Sequence, residues 1–250
     1  WKLVKNGCIY ASEIAANVKG DVVWLEEDKS HAAVILQRLK MGGTPEPFGA
    51  PFSPFKFQDM AFGQDDSLFV LCSMQASKDT LFKIDREGRR HDIKITSKDT
   101  IAVAFDSVLS LAKSGGAARE WPKANHLPGY SEYMGKITLS PDQTMIYQAK
   151  GGPMIDAWCY GENGELNQKQ EFCELQRAYD DSVLPQGLCV DTNGWLYVAT
   201  SFGIQVCDQA GRVNFIIPTP KKPLDVCFGG KDLSELFIVC GDAIYKRPTK

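Results

Sequence analysis

The 250-residue sequence lacks an apolar run approaching the roughly 20 residues that cross a bilayer, so we expect no membrane insertion. It also lacks an excess of positive charge, with a formal net charge of −3, and we therefore expect no nucleic acid partner. The opening residues, Trp1 to Asn6, lack the apolar core of a signal peptide. A chain from which such a peptide had been removed would begin in the same way.

Several catalytic and metal-binding signatures are also missing. There is no Gly-x-Ser-x-Gly motif, so nothing argues for a serine hydrolase. The histidines, His31, His91 and His126, are dispersed, and no pair of them has metal-ligand spacing.

The eight cysteines include no Cys-x-x-Cys pair and no dense disulfide framework. Buried free thiols behave as small apolar residues and favour a reducing compartment, so we expect a cytoplasmic protein. The cysteines placed in predicted strands are Cys72, Cys189, Cys207, Cys227 and Cys240.

What the chain does contain is a repeating pattern of short strands. It is clearest after Pro185, where apolar runs at 188–190, 195–199, 203–207 and 212–217 alternate with turns at 191–194 and 208–211. The Asn-Gly pair at the end of the first turn is a strong hairpin signal. Four strands in about 36 residues match the size of one propeller blade.

Similar copies recur along the chain and predict an all-β, six-bladed β-propeller of four-stranded antiparallel blades. We expect a single domain, 1–250, with an irregular Pro- and Gly-rich connection at 41–54 and a loop insertion at 113–132. The last copy has only three evident strands, and we expect residues 1–6 to supply its fourth and so remove the sheet edges. An open sandwich of similar strands is the alternative. The predicted blades open near Ser12, Gln58, Ile101, Gly135, Gln186 and Leu224.

Several motifs resemble the senescence-marker-protein/gluconolactonase/luciferin-regenerating-enzyme family, mainly over residues 135–250. The resemblance implies a six-bladed propeller that hydrolyses sugar lactones with one divalent cation, calcium or zinc. It also implies that a Glu, an Asn and an Asp hold the cation, while an Arg and an Asn hold the substrate. The matching motifs are Pro185-Gln-Gly-Leu-Cys-Val-Asp191, Cys227-Phe-Gly-Gly-Lys-Asp-Leu, Leu139-Ser-Pro-Asp-Gln-Thr-Met-Ile-Tyr147, Trp158-Cys-Tyr-Gly-Glu-Asn-Gly and Lys56-Phe-Gln-Asp59.

The resemblance places substituted residues at the family's cation positions. Gln186 stands in place of the Asp, and Gly135 in place of the Asn. The Glu position falls on Ser12, with Glu13 one residue further, and a one-residue shift turns a side chain to the other face of a sheet. We therefore expect no family-type metal site and no cofactor, with Glu13 as the remaining candidate metal ligand.

The family's substrate positions are altered as well. Lys56 and Gln58 replace the Arg and the Asn, whereas the adjacent Asp59 is kept. The resemblance makes Asp59 and Gln186 the candidate catalytic residues, and Lys56, Gln58 and Gln186 the candidate substrate-binding residues.

Two functions follow from this pattern. One is a lactonase-like propeller with weak or diverged activity, acting on a sugar or lactone and using a divalent metal if the family mechanism survives. The other is a non-catalytic propeller that binds a carbohydrate or a protein partner at the channel mouth. Ligand sites favour such concave places.

Overall fold

The computed structural model describes residues 1–29, 33–53, 56–63, 65–75, 78–93, 100–104, 107–111, 125–126, 136–149, 151–160, 166–177 and 184–249. These residues are almost entirely β-strands and their turns. No helix among them has the length and apolarity to span a membrane.

The first strands are β1 (Lys2–Ala16), β2 (Val22–Glu27), β3 (Val34–Leu39), β4 (Glu46–Pro47), β5 (Lys56–Phe62), β6 (Leu68–Gln75), β7 (Lys78–Ile84) and β8 (Arg90–Ile93). The next are β9 (Thr100–Ala104), β10 (Ser107–Leu111), β11 (Asn125–His126), β12 (Ile137–Leu139), β13 (Met145–Ala149), β14 (Met154–Tyr160) and β15 (Leu166–Glu174). The last are β16 (Gly187–Val190), β17 (Leu196–Thr200), β18 (Gly203–Cys207), β19 (Val213–Ile217), β20 (Asp225–Gly229), β21 (Glu235–Val239) and β22 (Gly241–Pro248), with a 3-10 turn at Lys231–Leu233.

The chain divides into two compact units. The first unit comprises residues 1–95 and 219–250, and the second unit comprises residues 96–218. The prediction of a single domain stays a prediction.

The first unit contains a seven-stranded sheet in the order β20-β21-β22-β1-β2-β3-β4 and a four-stranded sheet β5-β6-β7-β8. The long strand β1 belongs to two sets of strands. Its beginning pairs with β22, where Lys2 lies opposite Lys246 and Leu3 opposite Tyr245. Its end pairs with β2, where Ile14 lies opposite Trp24. The prediction that the first residues supply the fourth strand of the last set is therefore confirmed.

The second unit contains two four-stranded antiparallel sheets, β12 to β15 and β16 to β19, and a three-stranded sheet of β9, β10 and β11. Strand β11 pairs in parallel with β10, with Leu109 opposite Asn125. Within the predicted loop insertion 113–132, Asn125–His126 forms this short strand.

The segment 41–54 is also more ordered than its prolines predict. Strand β4 pairs with β3 through Gln37 and Pro47, which is allowed because an edge strand has no further ladder partner for the missing proline N–H. Phe52 then exchanges backbone hydrogen bonds with Val34, and the Phe52 side chain is buried. The segment therefore supplies the outer strand of the set that begins with β1.

The middle strands carry the core. Every residue of β17 and β18 is buried, whereas the outer strand β19 exposes part of its length. A strand covered on both faces needs a near-continuous apolar sequence rather than an alternating one. The run Leu196-Tyr-Val-Ala-Thr200 has that composition.

The connections reuse one turn with Asp or Asn at its first position and Gly at its fourth. In the turn that opens at Asp191, Oδ1 of Asp191 accepts hydrogen bonds from the N–H groups of Asn193 and Trp195, each at 2.9 Å. Gly194 has φ +80°, a conformation that glycine adopts without a steric penalty. The predicted hairpin is confirmed, with a connection of 191–195 between β16 and β17. The same arrangement occurs at Asn17–Gly20, Asp85–Gly88 and Asp208–Gly211.

Candidate functional site

Two of the strands that begin a set, β1 and β5, carry a β-bulge near the predicted site residues. In β1, Ala11 lies opposite Glu26 and Ile14 opposite Trp24, so Ser12 and Glu13 together face one partner residue. In β5 the register shifts between Phe57 and Asp59. Bulges re-aim side chains and are frequent beside active sites.

The bulge in β1 affects which residue corresponds to the family's Glu position, because the sequence assigned that position by counting along the strand. Counting back from Gly20 gives Ser12 only if the strand is regular. The inserted residue means that alternation along the strand does not hold between Ser12 and Glu13. Glu13 is half-buried in this bulge, and it stays a candidate ligand.

The first unit has a carboxylate at the same offset in each of its three strand sets. Glu13, Asp59 and Asp225 each directly follow a predicted blade opening, at Ser12, Gln58 and Leu224. Within this unit β1 lies against both β5 and β20. Asp225 is the residue that the sequence reasoning missed, although this shared offset could have identified it.

Asp59 and Asp225 also share a local hydrogen bond. Oδ1 of Asp59 accepts from the N–H of Met60 at 3.0 Å, and Oδ1 of Asp225 accepts from the N–H of Val226 at 2.8 Å. Asp59 is half-buried, whereas Asp225 is only 6% exposed. The two residues therefore occupy similar backbone positions, with Asp59 the more accessible.

Asp225 connects two strands of the first unit. Its second oxygen, Oδ2, accepts from the N–H of Ile14 at 3.1 Å, directly after the β1 bulge. A buried carboxylate needs such donors, because its charge has lost water. This contact fixes the start of β20 against β1.

A second buried carboxylate, Asp66, lies in the connection between β5 and β6. Nδ2 of Asn17 and Nζ of Lys19 each donate to it at 2.6 Å. Burial alone would raise the pKa of Asp66, but the hydrogen bonds from Lys19 and Asn17 outweigh it and lower the pKa below its usual value. This contact joins the connection after β1 to the sheet that begins with β5.

In the second unit, Gln186 directly precedes β16. Its backbone N–H donates to the carbonyl oxygen of Ala199 at 2.9 Å, which extends the β16–β17 ladder by one residue. Its side chain is half-buried, and Nε2 donates to the carbonyl oxygen of Leu184 at 3.2 Å. The structure thus places Gln186 at a strand start, as the sequence predicts.

The remaining predicted residues are less fully described. Lys56 begins β5 and Gln58 lies at its register shift, but their side chains are outside the described residues. Gly135 is also outside them. The prediction that Lys56, Gln58, Asp59 and Gln186 form one set therefore stays a prediction.

The family's cation donors do not fit this chain at β16. A hard divalent cation prefers carboxylate oxygens, whereas Gln186 offers a neutral amide that already donates to a backbone carbonyl. Within the part of the chain that the structure describes, no group of three or more His, Cys, Asp or Glu side chains could hold a metal ion. We therefore assign no chemical step to a metal.

Sequence comparison finds known proteins that are similar to part of this chain. Residues 135–241 match the family model described as SMP-30/Gluconolactonase/LRE-like region. Regucalcin of Oryctolagus cuniculus is 32% identical over 91 residues, which cover 34% of this chain and 29% of that protein. Regucalcin of Gallus gallus is 33% identical over 101 residues, which cover 38% of this chain and 33% of that protein. The chain therefore spans only about a third of the length of the curated relatives that it matches.

Solved structures extend the similarity beyond residues 135–241 to nearly the whole chain. A gluconolactonase from Xanthomonas campestris aligns with a TM-score of 0.55 and 15% identity, covering 98% of this chain and 88% of that one. A protein of unknown function from Bacteroides thetaiotaomicron aligns with a TM-score of 0.54 and 12% identity, covering 99% of this chain and 72% of that one. These identities show a shared propeller fold and nothing finer. Residues 135–241 of this chain are thus similar to the SMP-30/gluconolactonase/LRE-like family.

Proposed function

We propose that this protein is a lactonase-like propeller whose ligand is a sugar or a sugar lactone, and whose hydrolytic activity is weak because its metal-ligand positions are substituted. The observation that carries the proposal is Gln186, a neutral amide directly before β16, inside the region that matches the family. Gln186 is the proposed ligand-contacting residue of the second unit. Lys56, Gln58 and Asp59 are the candidate ligand-contacting residues that the sequence predicts in the first unit.

The proposal includes six blades. Three strand sets in the first unit, with β1 shared between two of them, and three in the second unit support that number. The seven-stranded sheet supports it because β1 pairs along its beginning with β22 and along its end with β2. Sharing one strand in this way leaves neither set with a free edge at that point.

The chemistry of the residues favours hydroxyl-bearing ligands over a tightly held cation. An amide both donates and accepts hydrogen bonds, and a carboxylate accepts from hydroxyl groups. Gln186 supplies the amide and Asp59 the carboxylate, and each side chain is half-buried in its own unit. Because Gln186 carries no negative charge, a cation bound there would lack the Coulomb attraction that a carboxylate provides.

A second candidate function is a non-catalytic propeller that binds a carbohydrate or a protein partner. The same substitution at Gln186 favours it, because a hydrolase of this type needs the cation to polarise the carbonyl group or activate water. Both functions use the same fold, so fold alone does not separate them.

The test combines turnover with binding on the purified protein. Gluconolactone hydrolysis is measured above its spontaneous rate with added calcium, zinc or manganese, and gluconate binding is measured by calorimetry. We expect slow hydrolysis with weak dependence on the added cation, and measurable gluconate binding. Gluconate binding without hydrolysis would select the non-catalytic carbohydrate-binding function. The absence of both hydrolysis and gluconate binding would contradict the proposed ligand class.

A matched pair of variants locates the site. Asp59→Asn removes the negative charge from a proposed contact residue, whereas Asp232→Asn removes one from an exposed turn position. Only Asp59→Asn should weaken gluconate binding. Equal effects of the two substitutions would count against a site at Asp59.

A further inference from the structure

Two buried cysteines of the second unit lie in direct contact. Cys173, near the end of β15, is 2% exposed, and Cys207, at the end of β18, is 0% exposed. Their Sγ atoms are 2.6 Å apart, and both residues are free thiols in this structure. A disulfide bond measures about 2.05 Å, so an approach of about half an ångström would join them.

The backbone on one side of the pair is fixed by a buried glutamine. Oε1 of Gln205 accepts from the N–H of Gln176 at 2.8 Å, and Nε2 of Gln205 donates to the carbonyl oxygen of Gln176 at 2.8 Å. Gln205 is itself 0% exposed. These two hydrogen bonds hold the chain after Cys173 against the strand that carries Cys207.

The backbone on the other side is fixed by close packing. A Cβ atom added to Gly211 would lie 1.8 Å from the carbonyl oxygen of Phe172, so the two backbones touch there. Cys173 and Cys207 belong to one apolar cluster with Leu188, Leu196 and other residues of β13 to β18. The sulfur atoms therefore face each other between two fixed backbone contacts, and bond formation requires no large movement.

We propose that Cys173 and Cys207 are a modification site, at which a low-molecular-weight disulfide such as oxidised glutathione converts the two thiols into a disulfide joining β15 to β18. One cysteine thiolate attacks the glutathione disulfide, forming a mixed disulfide and releasing one reduced glutathione. The second cysteine then attacks the mixed disulfide and releases the other. The protein loses two protons and two electrons overall, and the glutathione disulfide gains them to become two molecules of reduced glutathione.

The surroundings make this a slow reaction in the folded protein. Contact with Cys173 and burial both raise the pKa of Cys207, so this thiol stays protonated at neutral pH. The thiolate is the attacking form, and the oxidant cannot reach a side chain with no exposure. Oxidation therefore accompanies folding or local opening and proceeds slowly in the native state.

The experiment oxidises the whole chain by two routes. Native protein is incubated with oxidised glutathione, and a denatured sample is refolded in a glutathione redox buffer. Both are quenched in acid and mapped by peptide mass spectrometry. We expect a Cys173–Cys207 disulfide in both, sooner in the refolded sample, and a melting temperature roughly 5–10 °C above that of the reduced protein.

Three variants complete the design. Cys173→Ser and Cys207→Ala should each abolish the disulfide and the gain in melting temperature, with folding checked by circular dichroism. Cys227→Ser, which removes a buried thiol of the first unit, should retain both. Free thiols at both positions after both routes, or a lasting mixed disulfide with glutathione at either one, would overturn the proposal.

Discussion

The carboxylate of Asp225 accepts a hydrogen bond at 3.1 Å from the backbone N–H of Ile14, although 211 residues of chain separate them. The two residues lie on strands near opposite ends of the sequence. The β1 bulge places Ile14 directly after its inserted residue, where the ladder with β2 resumes. One buried carboxylate thus links the last strand set of the first unit to the set that begins with β1.

Removing this carboxylate should destabilise the protein. In Asp225→Ala the N–H groups of Ile14 and Val226 lose their acceptor inside the protein, at a cost of about 2–3 kcal/mol in the free energy of unfolding. Asp225→Asn keeps one acceptor oxygen and should lose less. Urea unfolding of both variants checks this order, and an Asp225→Ala protein as stable as the wild type would show that the contact is unimportant.

Close backbone packing at Gly211 makes a separate prediction. Gly211 has φ +77°, and an added Cβ would collide with the carbonyl oxygen of Phe172. Gly151 is the matched control, because its φ is +91° but nothing lies within 4 Å of its added Cβ. We expect Gly151→Ala to cost about 1 kcal/mol and Gly211→Ala about 3 kcal/mol or more, measured by chemical unfolding. Equal losses in the two variants would argue against the packing contact.

Asp66 predicts a loss of stability in acid. Its folded-state pKa is lowered, since the hydrogen bonds from Lys19 and Asn17 prevail over burial. A depressed carboxyl pKa stabilises the folded state above the unfolded-state pKa of about 4, and this contribution is lost as the pH falls through the folded-state value. Unfolding free energies measured between pH 7 and pH 2 should therefore fall less steeply with acid in Asp66→Asn than in the wild type.

Asn suits the backbone at position 66, which has φ +67°. Asp232→Asn provides a control at another position with positive φ, 55°. If the unfolding free energy of Asp66→Asn falls with acid as steeply as that of the wild type, Asp66 does not contribute to the pH dependence.

The strand pattern was accessible from the sequence because each hairpin is encoded locally. Asp191, Gly194 and the apolar runs around them specify the β16–β17 hairpin within about 14 residues. Strand β4 was harder to predict, because Glu46–Pro47 forms an edge strand within a proline-rich segment, and its pairing depends on the tertiary position of β3. Strand β11 was hard to predict for the same reason. It is only two residues long, and its residue Asn125 pairs with Leu109, which lies 16 residues earlier in the chain.

The candidate site was predictable only where a motif marked its position. Pro185-Gln-Gly-Leu marked Gln186, and the structure places that residue at the start of β16. The β1 bulge was not predictable from residue spacing, so the count that led to Ser12 rested on a regular strand. The role of Asp225 depends on a partner 211 residues away, which periodicity cannot indicate.

The substitution at position 186 gives the most direct test of the central claim, that a neutral amide there weakens cation binding and therefore hydrolysis. Calcium is titrated calorimetrically into wild type and Gln186→Asp, and gluconolactone hydrolysis is measured on the same samples. The restored carboxylate should tighten calcium binding by about tenfold or more and raise the calcium-dependent rate. Tight calcium binding and fast metal-dependent turnover by the wild type, with no gain in Gln186→Asp, would contradict the account.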